Sequence, residues 1–218
     1  MLNEVLEDSE SDVNVETGEY YESVDEMKDV AKSLDCDTVI NCTGLGSQTI
    51  CNDLDVVGGR GILHQYDREN CPRLHNSFFN EAEGIEIEMK HDCVIATEEL
   101  PWGNEQYPCY MIPRGNIINI GGCYIENDTF TKIRPEEEKL LRKNAFHLGI
   151  DTSKVKPINE WVGFRPSRPN VRCEEEKEQD TDGSDGIRVI HNYGHGGSGW
   201  TINVGAAKEV VHNILLNQ

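Results

Sequence analysis

The chain has 218 residues, 37% of them hydrophobic and 28% charged, with a formal net charge of −20. That length allows one large core or two small domains, and the acidity argues against nucleic acid, because phosphate contacts need a basic footprint. No apolar run approaches the ~18 residues that a membrane span requires.

The first residues, MLNEVLEDSESD, lack a basic n-region and an apolar h-region, so no secretory signal peptide is read. The last, ILLNQ, carry no SKL-type peroxisomal address. The eight cysteines form no CxxC pair. Reduced thiols are therefore expected, in the cytosol or an organelle. Two acidic stretches, EDSESD and EEEKEQDTDGSD at 174–185, read as solvated surface segments.

In chain order, SVDEMKDVAKSL (23–34) predicts a short amphipathic helix. Val24, Met27, Val30, Ala31 and Leu34 fall at helical spacing and Ser23 can cap it. CDTVINCTG (36–44) reads as a buried parallel strand running into a glycine turn. VVGGRGILHQYD (56–67) reads as a turn followed by a strand. GIEIEMKHDCVIAT (84–97) is β-type, with Ile85, Ile87 and Met89 alternating with charged residues. YPCYMIPRGNIINIGGCYIEN (107–127) predicts a hairpin turning at Arg114-Gly115-Asn116. PEEEKLLRKNAFHLG (135–149) predicts a helix with Pro135 in its first turn and Gly149 as its stop. WVGFRPSRPNVRC (161–173) is a proline-stiffened extended segment, GIRVIHNYG (186–194) a last strand, and 200–218 a last helix with Ile202, Ala206, Val210 and Ile214 on one face. A piece of parallel α/β structure thus surrounds an antiparallel middle.

Three constellations could carry chemistry. The stretch IHNYGHGGSGWT (190–201) joins a strand, a glycine-rich turn and a helix N-terminus. Free N–H groups and the helix dipole suit an anionic or dipolar ligand, and glycines let a flat one approach. A packing turn is the competing reading. His191 and His195 are not expected to bind metal, because Gly194 interrupts any helix that would align them. In FRPSRP (164–169) prolines hold Arg165 and Arg168, and a stiffly held arginine suits bidentate recognition of a carboxylate. A surface ion pair is the alternative. Tyr110 and Tyr124 flank the hairpin, where an aromatic is either core or site.

Taken together, VIHNYGHGGSGWT with G-x-A at Gly205–Ala207, GFRPSRPNVR (163–172), NCTG (41–44), GRG (59–61) and YMIPRGNIINIGG (110–122) resemble the D-amino-acid oxidase and D-aspartate oxidase family, over residues 36–217. The resemblance implies FAD as cofactor, a D-amino acid as substrate and molecular oxygen as oxidant, with 2-oxo acid, ammonia and hydrogen peroxide as products. It implies that Arg165 holds the substrate carboxylate, that Tyr110 shares it, and that the Gly197 carbonyl accepts from the substrate amine. Thr43 and the run Gly196, Gly197, Ser198, Gly199, Trp200 and Thr201 would touch FAD. Where aspartate-type members carry an arginine after the hairpin's glycine pair, this chain has Tyr124, which implies neutral substrates; Arg114 and Arg168 keep acidic ones open. A homodimer and a peroxisomal or cytoplasmic location are compatible with the family.

The implied fold class is mixed α/β: part of an FAD-binding parallel-sheet domain plus an antiparallel-sheet substrate domain. Residues 1–57 would be the truncated part of the FAD-binding domain with an acidic tail, 58–162 the substrate domain, and 163–218 the returning segment. The sequence departs from the family in lacking its opening βαβ unit with a GxGxxG-type loop and in placing Ile62 where a glutamine follows RG. The chain is therefore expected to be N-terminally truncated, the C-terminal part of such an oxidase. A non-catalytic relic or substrate-binding module is one alternative, and a related flavin amine oxidase acting on glycine or N-methyl amino acids is another.

Overall fold

A computed structural model describes residues 16–71, 77–80, 85–88, 95–97, 107–176 and 186–216. The first helix, α1 (Val24–Ser33), starts where Ser23 adopts an extended conformation and its side chain accepts from the Glu26 N–H at 3.2 Å. Its apolar stripe, Val24, Met27 and Ala31, packs on Val39, Ile187 and Val189. Val39 and Val189 belong to β1 (Thr38–Asn41) and β10 (Arg188–His195), Ile187 just precedes β10, and the two strands pair in parallel with Asn41 opposite His191. A 3₁₀ turn at Gly44–Gly46 and one helical turn, α2 (Ser47–Ile50), follow β1.

The remaining main strands are antiparallel. β2 (Val57–Asp67) includes Gly58, Gly59 and Gly61 within the strand, so the turn expected at its start is extended ladder instead. The reason is pairing at long range: β2 matches β9 (Asn159–Glu175) from Val57↔Ser167 to Gln65↔Asn159. β6 (Cys109–Arg114) and β7 (Ile117–Gly121) form the expected hairpin, with Gly115 at φ +57° in its two-residue turn. β3 (Ser77–Asn80) and β4 (Ile85–Glu88) pair with each other, β5 (Ile95–Thr97) pairs β6, and β8 (Ile125–Glu126) pairs β2. The large sheet runs β1-β10-β9-β2-β7-β6-β5. It is continuous through residues 57–58 and 162–163, since β2 and β9 carry the chain across both. Met89 and residues 91–94 of the expected β-type stretch lie outside the described residues.

One face of the antiparallel half is covered by α3 (Pro135–His147), which places Ala145 and the following Leu148 and Ile150 on Tyr66, Met111, Ile118 and Ile120. Pro135 opens that helix, and Gly149 at φ +82° closes it, with Ile150 N–H bonding back to the Ala145 carbonyl at 2.9 Å. The last helix, α4 (Gly199–Lys208), continues as a π-type turn to Leu215. Of its expected apolar face Val210 is buried, while Ile202 is exposed.

β2 turns Arg60, Ile62, His64 and Tyr66 toward α3, all fully buried. Arg60 donates to Glu137 at 2.7 and 3.0 Å and to the carbonyls of Phe130 and Lys132 at 2.7 and 2.6 Å. The same carboxylate accepts from the Arg134 N–H at 2.8 Å at the start of α3. Glu137 therefore compensates a buried charge and caps a helix together. Replacing it by alanine leaves the buried Arg60 with Asp128, 3.7 Å away, as its remaining carboxylate, and is expected to lower unfolding free energy by about 3 kcal/mol in urea titrations.

His64 faces Tyr66 Oη at 3.0 Å through Nδ1, with Glu160 at 3.7 Å from Nε2. Burial, aided by the charge of Arg142 and opposed by Glu138, holds its pKa down to about 4 from the ordinary 6.5. The folded state therefore keeps it neutral where the unfolded chain takes up a proton. Its contribution is complete above pH 6.5 and is lost as the pH falls from 6.5 to 4. Thermal melts across that window should show a falling Tm that flattens in His64→Gln.

Candidate active site

The face of the sheet opposite α3 carries a floor of glycines. Along β2 this face reads Gly59, Gly61, Leu63; along β9 it reads Trp161, Gly163, Arg165; and Gly121 of β7 stands beside Leu63. Each large side chain there lies over a bare backbone. A Cβ on Gly61 would stand 2.7 Å from Arg165 Cζ, and one on Gly163 2.9 Å from Trp161 Nε1. One on Gly59 would stand 2.9 Å from Tyr124 Cζ, and one on Gly122 2.7 Å from Tyr110 Cε1. Glycine is required here for close approach, not for an unusual dihedral.

Arg165, Tyr110, Trp161, Leu63, Gly61 and Gly163 line a cavity of about 340 Å³. Arg165 Nη1 donates to the Cys123 carbonyl at 3.2 Å, and Nη2 stands 3.5 Å from Tyr110 Oη. Among the described residues no carboxylate lies within ion-pair distance of Arg165. Burial pushes the Tyr110 phenol above its ordinary value, with Arg165 opposing, so it is a hydroxyl donor at neutral pH. A half-buried guanidinium without a counter-ion, beside a hydroxyl donor, is a receptor for a carboxylate.

A second group of residues meets at the carboxyl ends of β1 and β10, the place where open sheets with parallel strands take ligands. Asn41, fully buried, organises the turn: its Oδ1 accepts from the Thr43 N–H at 3.0 Å and from Thr43 Oγ1 at 2.8 Å. Thr43 Oγ1 also lies 2.9 Å from Ser47 Oγ. Gly44, at φ +59°, packs its backbone on Pro166. Across from it, a Cβ on Gly196 would stand 3.1 Å from Ser167 Oγ, and one on Gly197 3.4 Å from Arg165 Cδ. The glycine turn thus touches the arginine of the cavity, although the two are 32 positions apart.

Thr43 and the run Gly196–Thr201 gather at this end, with Gly197, Ser198, Trp200 and Thr201 exposed. The N-cap of α4, Ser198, makes no side-chain cap bond, and no acidic residue stands in the first turn. Among the described residues the buried atoms Asn192 Oδ1 and His195 Nε2 have no hydrogen-bond partner. Bare glycines, free N–H groups and orphaned polar atoms fit a flat, hydrogen-bonding ligand with an anionic end. Tyr110 and Arg165 line the cavity; Gly197 and Tyr124 are not in its lining, Gly197 lying beside Arg165 and Tyr124 over Gly59, with its Oη donating to Glu126 at 3.1 Å. Arg168 and Arg114 do not join them. Arg168 pairs with Asp53 at 3.0 Å and Asp55 at 3.5 Å, and Arg114 is exposed at the hairpin turn.

Two features escaped the sequence. Trp161 reaches the cavity only through the β2–β9 register, which no local pattern encodes. Asp53 receives hydrogen bonds from Tyr193 Oη at 2.7 Å and Arg168 Nε at 3.0 Å, while Arg172 donates to the same Tyr193 oxygen at 2.8 Å. This cluster ties the loop after α2 to both strands that lead into the site.

Residues 6–213 match the family model described as FAD dependent oxidoreductase. A D-amino acid oxidase of Dugesia ryukyuensis is 33% identical over 184 residues, 82% of this chain and 46% of that protein. A D-amino-acid oxidase of Dictyostelium discoideum is 31% identical over 180 residues, 82% of this chain and 43% of that protein. The chain thus spans somewhat under half the length of these relatives. In fold it is similar to the glycine oxidase from Geobacillus kaustophilus, with a TM-score of 0.54 at 16% identity, over 82% of this chain and 42% of that one.

Gly61→Ala places a methyl group where the Arg165 guanidinium lies. The long side chain can swing away, so the fold should survive while the receptor is lost. Calorimetric titration with propionate should show binding weakened by about tenfold or more, with Tm changed by only a few degrees.

Proposed function

The chain belongs to the FAD-dependent oxidoreductase family, and we propose that its site serves the oxidative deamination of neutral D-amino acids. In that reaction the amino acid, dioxygen and water give a 2-oxo acid, ammonia and hydrogen peroxide. The observation that supports this most is that Arg165 and Tyr110 line one cavity and Gly197 lies beside Arg165, with no carboxylate on Arg165 among the described residues. In this reading residues 1–57 and 163–218 belong to the FAD-binding part, from which Arg165 and Gly197 reach the substrate, and 58–162 to the substrate-binding part.

FAD, when bound, would supply the acceptor for the hydride, the two electrons of the substrate Cα–H bond, as the Cα–N bond becomes an imine. Thr43, Gly196, Gly197, Ser198, Gly199, Trp200 and Thr201 would hold it. The uncapped first turn of α4 offers its N–H groups and positive dipole end to the cofactor's anionic groups. Arg165 takes the substrate carboxylate in two parallel hydrogen bonds, and the protonated Tyr110 hydroxyl donates a third. The Gly197 carbonyl accepts from the substrate amine. With both ends of the amino acid fixed, the Cα–H direction is set without a side-chain base, and the residues contribute orientation and charge complementarity. Tyr124, lying over Gly59, closes the floor beside Arg165.

The preference for neutral substrates rests on charge. Arg165 is the one ionised side chain lining the cavity among the described residues. A second carboxylate would be desolvated there without a cation, at a cost of several kcal/mol. Arg168, which the sequence left open for that role, is held by Asp53 and Asp55.

One observation favours a second reading. In the 218 residues G-x-G-x-x-G occurs at Gly194–Gly199, at the end of the last strand, and not in an opening βαβ unit, the usual cradle for a dinucleotide pyrophosphate, so the chain could act as a substrate-binding module. Titration with FAD, followed by flavin fluorescence and the visible spectrum, separates the two. A saturable, protein-perturbed spectrum and peroxide formation from D-alanine are expected, with kcat/KM reduced by about 100-fold or more in Arg165→Leu. A spectrum identical to free FAD at every concentration would select the binding module. Peroxide formation indifferent to Arg165→Leu would overturn the proposed role of the cavity.

A further inference from the structure

Gly61 and Gly163 face each other in the β2–β9 register. Over the first lies the Arg165 guanidinium, and over the second the five-membered ring of Trp161, whose Nε1 and Cδ1 would stand 2.9 and 3.6 Å from a Cβ placed there. Paired strands are separated by about 5 Å, so cation and indole are neighbours on one floor. A carboxylate seated on Arg165 therefore places the next few atoms of its molecule over the indole. Leu63, opposite Trp161 in the ladder, continues the apolar surface. Trp161 is 57% exposed and belongs to no core cluster, so packing does not account for a tryptophan at this position.

We propose that Trp161 is the specificity-determining platform of the cavity, selecting amino acids with an aromatic or large apolar side chain. This rests on Arg165 holding the carboxylate, as proposed above. The chemistry favours such a ligand in three ways. Stacking on indole rewards a flat apolar group beyond its area. The cavity of about 340 Å³ holds more than a methyl side chain. Neither Trp161 nor Leu63 offers a charge to an acidic or basic one. Trp161 approaches neither Asp nor Glu by any hydrogen bond among the described residues, so the ring is free to serve as a face.

The test is calorimetric binding of D-phenylalanine and D-alanine to the full 218-residue chain, with three variants. The unaltered chain should bind D-phenylalanine about tenfold more tightly than D-alanine. In Trp161→Leu that ratio should fall to about one, and Trp161→Phe should restore most of it. Gly163→Ala, which displaces the indole without removing it, should lower the ratio as well and guards against a folding artefact at position 161. Equal binding of the two ligands by the unaltered chain, or a ratio that survives in Trp161→Leu, would overturn the platform. Arg165→Leu reports on the underlying reading separately. If neither amino acid binds the unaltered chain, or if both bind equally well after Arg165→Leu, the carboxylate receptor falls, and the platform falls with it.

Discussion

The pairing of β2 with β9 fixes both sides of this molecule. Its register, from Val57↔Ser167 to Gln65↔Asn159, sets Gly61 against Gly163 and Gly59 against Arg165. Because strand side chains alternate, the same pairing aims Arg60, Ile62, His64 and Tyr66 at α3. A slip of one residue would exchange the two faces. Arg60 would leave its carboxylate and the guanidinium of Arg165 would be driven into a side chain. The buried Arg60–Glu137 pair and the glycine floor are therefore two consequences of one register, and each penalises the alternatives to it.

Local structure was legible wherever a local rule sets it. Ser23 before an amphipathic run, Pro135 at the head of a helix and Gly149 at its foot mark helices that the structure contains within a residue or two. The turn at Gly115 follows from the positive φ that a two-residue hairpin demands. What failed locally was the reading of VVGGRGILHQYD (56–67) as a turn followed by a strand, since the strand already begins at Val57. Glycine clusters mark turns when nothing pairs with them, yet here the partner strand lies about 100 positions away and needs bare backbone opposite an arginine. Trp161 was missed for the same reason. Its neighbours in sequence say only that it is extended, and its meaning lies in what stands across the ladder.

The cofactor end of the site was more accessible to the sequence, because its ingredients are contiguous. NCTG carries its own logic: Asn41 is buried between β1 and β10 and its amide organises the backbone and hydroxyl of Thr43. The glycine turn after β10 likewise needs positive φ at Gly194 and Gly196. The coupling between these turns was not visible. Asp53, Tyr193, Arg168 and Arg172 share hydrogen bonds across three separated segments. Burial of Tyr193, whose hydroxyl donates to Asp53 while accepting from Arg172, makes this an ordered network with a fixed direction of donors.

Charge gives the last step. The chain carries 40 acidic residues against 20 lysines and arginines, so an arginine that escapes pairing in this surplus of carboxylates needs a structural reason. Arg60, Arg134, Arg142, Arg168, Arg172 and Arg188 each reach Asp or Glu. Arg165 reaches a carbonyl and a tyrosine hydroxyl instead. Its position explains the difference: the floor beneath it is glycine, and the side chains beside it are Tyr110, Tyr124, Trp161 and Leu63, none of them acidic. Among the described residues the fold gives this half-buried cation no counter-ion, unlike the six arginines named above. Among the described residues that leaves a half-buried positive charge without a carboxylate, and a planar guanidinium beside a hydroxyl is suited to receive one from a ligand.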